Sequence, residues 1–513
     1  MRFLYKYLIL LLTVSPLLLP SCKSDNEESE ETVTTLNDEW YSGGKAGTVF
    51  NATSRAYRQP MPFVNDDNKL YSMFMRGEKL FGQTFVSDTN IGYSGLGPVY
   101  IRNSCLSCHP GYGGRGRRVD KYDSDDSQCG YLLMIYNPTL PGKPLATKYF
   151  TGMTQTRAVY PFTAPIQEDG IHITWNQFVD EHGNRYEDGT PYSEGTSYEG
   201  TLIYPTITID QDKILFPDFD MSQYAASIEA TIGIYGVGLL DAISDEDLRA
   251  EYEAQQARGY AQGKLGSDAG EIDETGYNQY YPGLHPGRFT YLCTRATLDN
   301  GPGSNAIWNI TNVTRPDRRK NYITEEYAKV MSSNSMVQSA LKKSQEEIYA
   351  DLLSTNIESE LSQDDYNAFM VWHRTLAVPA ARNLDDEDVK HGKSLFNKAG
   401  CVACHRPSWT TRDNYLPMPQ MSNQKIFPYT DLLRHDLGMI EPGRVDLCRT
   451  TPLWGRGLMY LNAGHTDMLH DLRARNYEEA ILWHNGQAKT AKENFRTMSK
   501  SDRSALIKFL KSI

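Results

Sequence analysis

The sequence has little cysteine, little positive charge and few long apolar segments. Eight of its 513 residues are cysteine, and Lys plus Arg number 52 against 64 Asp plus Glu, giving a net charge of -12. Because such an acidic chain repels phosphate backbones, nucleic acid is not an expected partner. No long apolar run follows residue 21, so the body of the chain predicts no membrane span. The length exceeds that of one ordinary domain, and at least two domains are expected.

The first residues have the pattern of an export signal. Two basic residues precede an apolar run, Leu8–Leu19, and "LLPSC" ends at Cys22. This pattern predicts a lipoprotein signal peptide over residues 1–21, with Cys22 as the lipid-bearing first mature residue; ordinary cleavage that leaves a free cysteine is the alternative. The acidic residues 22–38 predict a disordered tether. We therefore expect an exported chain held to a bacterial membrane by a lipid anchor only, on the periplasmic side or the outer surface.

The few cysteines are used twice in one motif, Cys-x-x-Cys-His. The copies are "CLSCH" at 105–109, the first motif, and "CVACH" at 401–405, the second motif. This is the attachment signature of c-type haem: on one helical turn two thiols can bond to the porphyrin edge while the imidazole ligates the iron. A zinc site usually combines pairs from separate segments, and a disulfide needs no histidine after it. The sequence predicts two covalently bound haem c groups, attached through Cys105, Cys108, Cys401 and Cys404 and ligated by His109 and His405.

Three cysteines remain when one is assigned to lipid and four to haem: Cys129, Cys293 and Cys448. An odd remainder permits at most one internal disulfide, and the sequence leaves its pairing open. We expect the third to be a free structural thiol, with a redox role as the alternative. Covalent haem attachment takes place outside the cytoplasm, so the export signal and the two motifs agree.

A diverged repeat precedes the two motifs. "RGEKLF" ends at Phe81, 24 residues before the first motif, and "HGKSLF" ends at Phe396, five residues before the second. The first unit has therefore taken an insertion between its helix and its haem motif. We expect a mainly α chain of two cytochrome c-type haem domains, residues 39–380 and 381–513. The first is enlarged by a loop-rich insertion with some β-hairpins.

Local patterns place helices and strands around the motifs. "NLDDEDVKHGKSLFNKAGC" predicts a helix before the second motif, and Ser499 with Asp502 predicts the start of the last helix. Asn476 is expected to cap a helix over Tyr477–Asn485, with His484 on its apolar face. Between the motifs, β-branched alternation in "TLIYPTITI" predicts strands, and "SQDDYNAFMVWHRTLAV" predicts a helix.

Several segments together resemble a known family. "GCVACHRP", "IFPYTDLLRHDLG", "RTTPLWGRG" and "LHDLRARNYEEAILWHNGQA" resemble the di-haem oxidoreductases, known as peroxidases or thiol oxidoreductases and related to bacterial di-haem cytochrome c peroxidases. The first half adds "LGPVYIRNSCLSCH", "GVGLLDAI" and the short "GRF" at Gly287–Phe289. The resemblance runs, with gaps, from about residue 70 to the end, and its motifs are most specific in the last 130 residues.

The resemblance implies different roles for the two haems. In the peroxidase relatives the C-terminal haem stores and relays an electron, while the N-terminal haem reacts with peroxide. These relatives carry the distal ligand of the electron-transfer haem, a methionine, fourteen residues after the histidine of a His-Asp-Gly turn. Fourteen residues from His470 lead to His484, so the resemblance implies His484 as the sixth ligand opposite His405. Leu472 stands where that turn has glycine.

A His405/His484 pair predicts a low-potential, low-spin electron store, because methionine raises a haem's potential relative to two nitrogen ligands. The alternative is that His484 is a buried histidine satisfied by a carbonyl. Four other side chains compete for the ligand position: His435, Met439, His465 and Met468.

The first haem is harder to complete from the sequence. Its expected proximal ligand is His109, and the distal position is either open or filled by one of three histidines, His172, His182 and His285. Peroxide chemistry requires an open or readily vacated position and a nearby acid or base that moves protons. The acidic candidates are Glu168, Glu181, Glu187, Glu194 and Glu199. Three basic residues after the motif could pair with haem propionates or form a solvated loop: Arg115, Arg117 and Arg118.

Two haems in one exported chain lead to three hypotheses. We expect an oxidoreductase whose C-terminal haem takes electrons from a small redox protein and relays them to an N-terminal haem that reduces peroxide or a related oxidant. The alternatives are a haem-dependent protein or thiol oxidase and a non-enzymatic electron-transfer protein. The ligands of the first iron distinguish the enzyme hypotheses from the electron-transfer hypothesis, because two strong side-chain ligands leave peroxide no place to bind. Aromatic residues that could lie between the haems include Trp175, Trp372 and Trp483.

Overall fold

The computed structural model describes residues 36–87, 95–258, 264–266, 285–299, 307–440, 443–444 and 446–513. The predicted signal peptide over 1–21, the lipid-bearing Cys22 and most of the tether over 22–38 lie outside these described residues. The chain divides into residues 1–36 and 37–513, and every feature below belongs to the second part. The division into haem domains at residues 380 and 381 stays a prediction.

Two helices from distant parts of the chain pack against each other beside the first motif. They are Asn68–Gly82, which contains "RGEKLF", and Gln363–Arg374. Gly77 lies against the second helix, and a Cβ added to it would stand 2.3 Å from the carbonyl oxygen of Ala368. Only a residue without a side chain permits so close an approach. The two backbones therefore cross at Gly77.

The second motif repeats this crossing with Glu387–Ala399, which contains "HGKSLF", and Lys500–Ser512. Here a Cβ added to Gly392 would stand 2.0 Å from the carbonyl oxygen of Ala505. An aromatic residue follows the contact by four positions in both pairs, Trp372 in the first and Phe509 in the second. The repeat in the sequence is therefore also a repeat in the structure.

Replacing Gly392 with alanine tests this crossing. The new methyl group would meet backbone that cannot move without separating the helices, so overpacking should outweigh the better helix propensity of alanine. We expect a loss of about 2 kcal/mol in the free energy of unfolding, measured by denaturant titration. Asn397→Ala on the exposed face of the same helix is the matched control and should be neutral or slightly stabilising. Equal stability of the two variants would show that the crossing tolerates a side chain.

Most of the observed helix caps and ends are those that the sequence predicts. The Ser499 hydroxyl accepts a hydrogen bond from the Asp502 amide, which confirms the predicted cap of the last helix. Gly400 ends the helix before the second motif in the left-handed conformation, φ 93°. Asn476 caps the next predicted helix, as expected, but this helix is Tyr477–Leu482 and ends three residues before Asn485.

The segment between the first motif and its closing helix contains an antiparallel four-stranded sheet. Its strands, in spatial order, are Tyr131–Tyr136, Ala225–Ala230, Leu202–Ile209 and Ile171–Phe178. The last two form a hairpin in which Ile171 faces Ile209 and Phe178 faces Leu202. With 37% helix and 15% strand, the fold is mixed rather than mainly α. The hairpin expected in the insertion is present, but the strand content is larger than a mainly α chain has, because short strands gain their stability from partners that are far away in the sequence.

The remaining helices and strands are distributed along residues 37–513. The other helices described are Gly44–Gly47, Pro62–Asn65, Val237–Asp241, Asp245–Arg258, Glu325–Ser333, Ser335–Leu341, Gln345–Leu352, Met459–Ala463 and Lys489–Arg496, with a π-helical turn at Ile307–Thr311. Thr48–Val49 pairs in parallel with Val378–Pro379. The small antiparallel pairs are Val99–Tyr100 with Arg157–Ala158, Trp409–Thr410 with Lys425–Ile426, and Arg434–Asp436 with Leu447–Arg449. Within the described residues, no helix has both the length and the apolar composition needed to cross a membrane.

Candidate functional site

Each haem motif folds as a single helical turn. The His109 amide donates to the Cys105 carbonyl at 3.0 Å, and the His405 amide donates to the Cys401 carbonyl at 2.9 Å. The spacing thus brings the thiols and the imidazole of each motif onto one turn, as the sequence predicts. All seven cysteines of the described residues are free, so no disulfide forms there: Cys105, Cys108, Cys129, Cys293, Cys401, Cys404 and Cys448.

A backbone carbonyl orients the imidazole of each motif. Nδ1 of His109 lies 3.2 Å from the carbonyl oxygen of Gly114, and Nδ1 of His405 lies 3.0 Å from that of Tyr429. A ring that donates its Nδ1–H to a carbonyl presents Nε2 as the free lone pair. Burial lowers the pKa of His109 and of His405 to about 4, so both rings are neutral. This is the state that an iron ligand requires.

His484 faces His405 in the structure. The ring centres are 6.4 Å apart and the ring planes meet at 45°. Two imidazoles on one iron have centres roughly 6 Å apart, from two metal–nitrogen bonds of about 2 Å and the half-width of each ring. Nδ1 of His484 lies 2.6 Å from the carbonyl oxygen of Ala480, which leaves Nε2 free, and burial lowers the pKa of His484. The pair therefore has the separation, orientation and protonation of two axial ligands, although the ligand role of His484 stays a prediction.

Both imidazoles line a cavity of about 420 Å³, the large cavity. Its volume falls within the range of cofactor pockets, about 300–1,000 Å³. The thiols of the second motif lie in its wall, and much of the rest is apolar: Phe396, Leu437, Leu453, Ile481, Leu506 and Leu510. An apolar slot with two thiols on one side and two facing imidazoles matches the shape and chemistry of a c-type haem.

Three guanidinium groups also line the large cavity: those of Arg115 and Arg449 are buried, and that of Arg456 is partly buried. None of the three forms an ion pair within the described part of the chain, and Nε of Arg115 and of Arg449 has no hydrogen-bond partner there. Burial lowers the pKa of both side chains. Since a buried cation without a counter-charge is costly, these groups suit the propionates of a haem. Their N–H groups would donate hydrogen bonds to the negatively charged propionates.

Only one of the three arginines after the first motif has such a position. Arg115 donates to the Tyr291 hydroxyl and to the Leu469 carbonyl at the large cavity, which belongs to the second motif rather than to its own. Arg117 pairs with Asp126 at 2.7 Å, and the guanidinium of Arg118 lies over the Trp175 ring. Arg115, which follows the first motif in the sequence, therefore contacts the large cavity beside the second motif.

Two of the side chains that compete with His484 are engaged elsewhere. His435 lies 2.7 Å from Asp431, and although burial favours the neutral ring, hydrogen bonds to Asp431 and Cys404 outweigh it and raise the pKa of His435 to about 10. Nε2 of His465 is 3.0 Å from the carbonyl oxygen of Arg115. Met439 and Met468 line the large cavity. Cys404, Asp431 and His435 are close enough to hold a metal ion, but a thioether at Cys404 would remove the thiolate from that set.

The carboxyl group of Glu229 is the other unusual charge near this site. Burial raises its pKa to about 7, a shift that Arg444 only partly offsets. In the unfolded chain the group ionises near 4.5, so stability is full below that pH and is lost as the pH rises through 7. Between pH 5 and pH 8 we expect this group to lower the free energy of unfolding of the parent by about 2 kcal/mol. In Glu229→Gln this decrease should be absent. Thermal melts of parent and variant at both pH values measure this difference, and equal losses would contradict it.

The histidines and acids suggested for the first haem have other partners. His172 lies 2.9 Å from Asp210, His182 lies 3.2 Å from Glu493, and Nδ1 of His285 lies 2.6 Å from Asp245. The acidic candidates accept hydrogen bonds from, or pair with, neighbouring groups that are not part of either motif; the pairs are Glu168 with Thr156, Glu181 with Lys489, Glu187 with Arg496, Glu194 with Lys500, and Glu199 with the Gly195 amide.

A small cavity of about 40 Å³ shares lining residues with the large cavity. It is lined by Gly114, which accepts from His109, and by the three arginines of the large cavity. The buried Trp454 forms part of its wall, whereas Trp175 and Trp483 pack beside Arg118 and Arg473. The sequence analysis did not single out Trp454, although it stands within the quoted segment "RTTPLWGRG".

Comparison with families of known proteins gives a match to the C-terminal part of the chain. Residues 329–513 match the family model described as "Di-haem oxidoreductase, putative peroxidase". No curated protein and no solved structure gives a match. The matched range contains the second motif, His484 and the large cavity's apolar helix Lys500–Ser512, and it ends at the last residue of the sequence. The first motif lies outside it.

Proposed function

Residues 329–513 belong to the di-haem oxidoreductase family, and from this premise we propose that the chain is an exported oxidoreductase with two c-type haems. The C-terminal haem relays electrons from a small redox protein, and the N-terminal haem uses them to reduce peroxide or a related small oxidant. Reduction of hydrogen peroxide consumes two electrons and two protons and yields two water molecules. The redox protein supplies the electrons, and solvent supplies the protons.

The observation that supports this proposal most strongly is the facing pair His405 and His484 in the large cavity. Their ring centres are 6.4 Å apart, both rings are oriented by a carbonyl, and the thiols of Cys401 and Cys404 lie in the same wall. A haem bound here would supply a one-electron store. With two nitrogen ligands it would have no free position for substrate, which favours electron storage over peroxide chemistry at this site.

The protein's own residues hold the second haem in three ways. Cys401 and Cys404 would bind the porphyrin edge, the apolar wall would exclude water, and the guanidiniums of Arg115, Arg449 and Arg456 would receive the propionates. The repeated helix crossing gives the first motif the same support for its haem, attached at Cys105 and Cys108 and ligated by His109.

We propose that Cys22 carries the lipid and that the acidic tether holds the haem-bearing part away from the membrane surface. This location agrees with covalent haem attachment outside the cytoplasm. It also makes an exported redox protein and a small diffusible oxidant the partners that can reach the site, with no nucleic acid among them.

Absorption and electron-paramagnetic-resonance spectra of the holoprotein test the proposal. The protein is made with a haem-attachment system and recorded oxidised, half-reduced, and after addition of hydrogen peroxide. We expect one low-spin and one high-spin haem, with a spectral change of the high-spin haem on addition of peroxide. Two low-spin haems at every redox level, indifferent to peroxide, would mean an electron carrier and would overturn the enzyme proposal.

A further inference from the structure

One histidine near the first motif has no hydrogen-bond partner among the described residues. His373, on Gln363–Arg374, is 3% exposed, and neither of its ring nitrogens has a partner within the described residues. Nε1 of its neighbour Trp372 also lacks one. Leaving such groups unpaired in a protein interior costs on the order of 1–3 kcal/mol each. Two adjacent unpaired polar side chains therefore point to a polar ligand that completes the site.

The repeated helix crossing locates His373 beside the first haem site. Because Trp372 corresponds to Phe509, His373 corresponds to Leu510, and Leu510 lines the large cavity of the second site. The nearby rings agree: Phe81 lies 4.3 Å from Trp372 and 6.0 Å from His109, measured between ring centres. Burial, followed by the nearby His109, lowers the pKa of His373 to about 3, so its ring is neutral. At the position where the second site has the apolar side chain of Leu510, the first site has the imidazole of His373.

His373 differs from the expected iron ligands in one respect. In His109, His405 and His484 a backbone carbonyl lies within hydrogen-bond distance of Nδ1 and fixes the ring. Such an orienting partner is the rule for metal-bound histidines. His373 has none, so its ring is not held for permanent coordination. A neutral imidazole with both nitrogens available can instead accept a proton at one atom and donate one at the other.

We propose that His373 is the proton-transferring residue of the first haem site, where it hydrogen-bonds a small oxygen-containing ligand. The inference rests on the proposed function. His373 takes the proton from one oxygen of hydrogen peroxide and returns a proton to the other oxygen, which leaves as water when the O–O bond breaks. The remaining oxygen is released as the second water after two electrons from the redox protein and two protons from solvent have been taken up. His373 itself ends each turnover neutral.

Fluoride binding to the oxidised holoprotein tests this role without turnover. Fluoride binds open ferric haem and is held more tightly when a side chain donates a hydrogen bond to it. We expect His373→Leu, which installs the residue found at the equivalent position of the second site, to raise the fluoride dissociation constant by about tenfold or more. His373→Gln, which keeps a donor, should recover part of the affinity. His172→Leu, on a half-exposed histidine paired with Asp210, is the matched control and should bind like the parent.

The outcomes separate the inference from the function on which it rests. A haem content of two per chain in each variant shows that it has folded, and His373→Gln supplies the test if the leucine variant does not fold. Unchanged fluoride affinity in both His373 variants would overturn the inference alone. A first haem that is low-spin in the parent and becomes high-spin in His373→Leu would also overturn it, since His373 would then be an axial ligand. A parent in which neither fluoride nor peroxide perturbs any haem would overturn the proposed function itself.

Discussion

Replacing Cys401 and Cys404 with serine should leave one covalently bound haem per chain instead of two. The two thiols share a helical turn with His405, and both stand in the wall of the large cavity. Serine has nearly the same shape but cannot form the thioether bonds that hold the porphyrin edge. Haem that remains after denaturation, measured against chain mass, gives the count directly.

Two controls make this result specific. The same change at Cys105 and Cys108 should also leave one haem, which must then belong to the second motif. Cys448→Ala removes a buried thiol that lines the same cavity but belongs to no motif, and it should retain both haems. Two retained haems in the Cys401 and Cys404 variant would contradict c-type attachment at the second motif, and a parent without retained haem would contradict it at both.

Substitution of His484 should have the second-largest effect, on the reduction potential of the second haem. His484→Met exchanges an imidazole for a thioether and should raise that potential by on the order of 0.1 V, because methionine stabilises the reduced iron relative to histidine. His484→Ala removes the facing ring and should convert the second haem from low-spin to high-spin. Potentiometric titration measures the first change, and electron paramagnetic resonance measures the second.

The competing methionines provide the comparison for His484. Met439 and Met468 line the same cavity, so alanine at either position changes the packing around the haem without removing the facing imidazole. Both variants should stay low-spin with a nearly unchanged potential. A high-spin second haem in Met439→Ala or Met468→Ala, together with unchanged spectra for both His484 variants, would transfer the ligand role to that methionine.

The parts of the site that the sequence predicted are those encoded over a few residues. The two motifs, the cap at Ser499 and the position of His484 among apolar residues of the large cavity all follow from spacings within one or two helical turns. Such local patterns need no knowledge of distant partners. The helix predicted over Tyr477–Asn485 ends at Leu482 instead, because Asn485 is extended and a separate short turn begins at Gly486.

What the sequence did not reveal depends on contacts between distant segments. Arg115 follows the first motif but lines the cavity of the second, and nothing in its local sequence indicates this. His373 was part of a predicted helix, but its position became meaningful only when that helix was found crossing Asn68–Gly82. The equivalence of Gly77 and Gly392 was available in "RGEKLF" and "HGKSLF"; the partners of these glycines were not. Pairing of distant helices is set by tertiary packing, which periodicity within a single segment does not contain.

The two helix crossings form after different lengths of chain have been synthesised. The helix before the second motif is separated from its partner by about one hundred residues of sequence. Asn68–Gly82 is separated from Gln363–Arg374 by almost three hundred residues. Contacts that close long stretches of chain form slowly and leave apolar surface exposed meanwhile. The first site is thus begun early and completed late, after the whole sheet-bearing segment has been made. A chain that stops anywhere between residues 110 and 362 would carry both cysteines and the histidine of the first motif and still lack the helix that closes it.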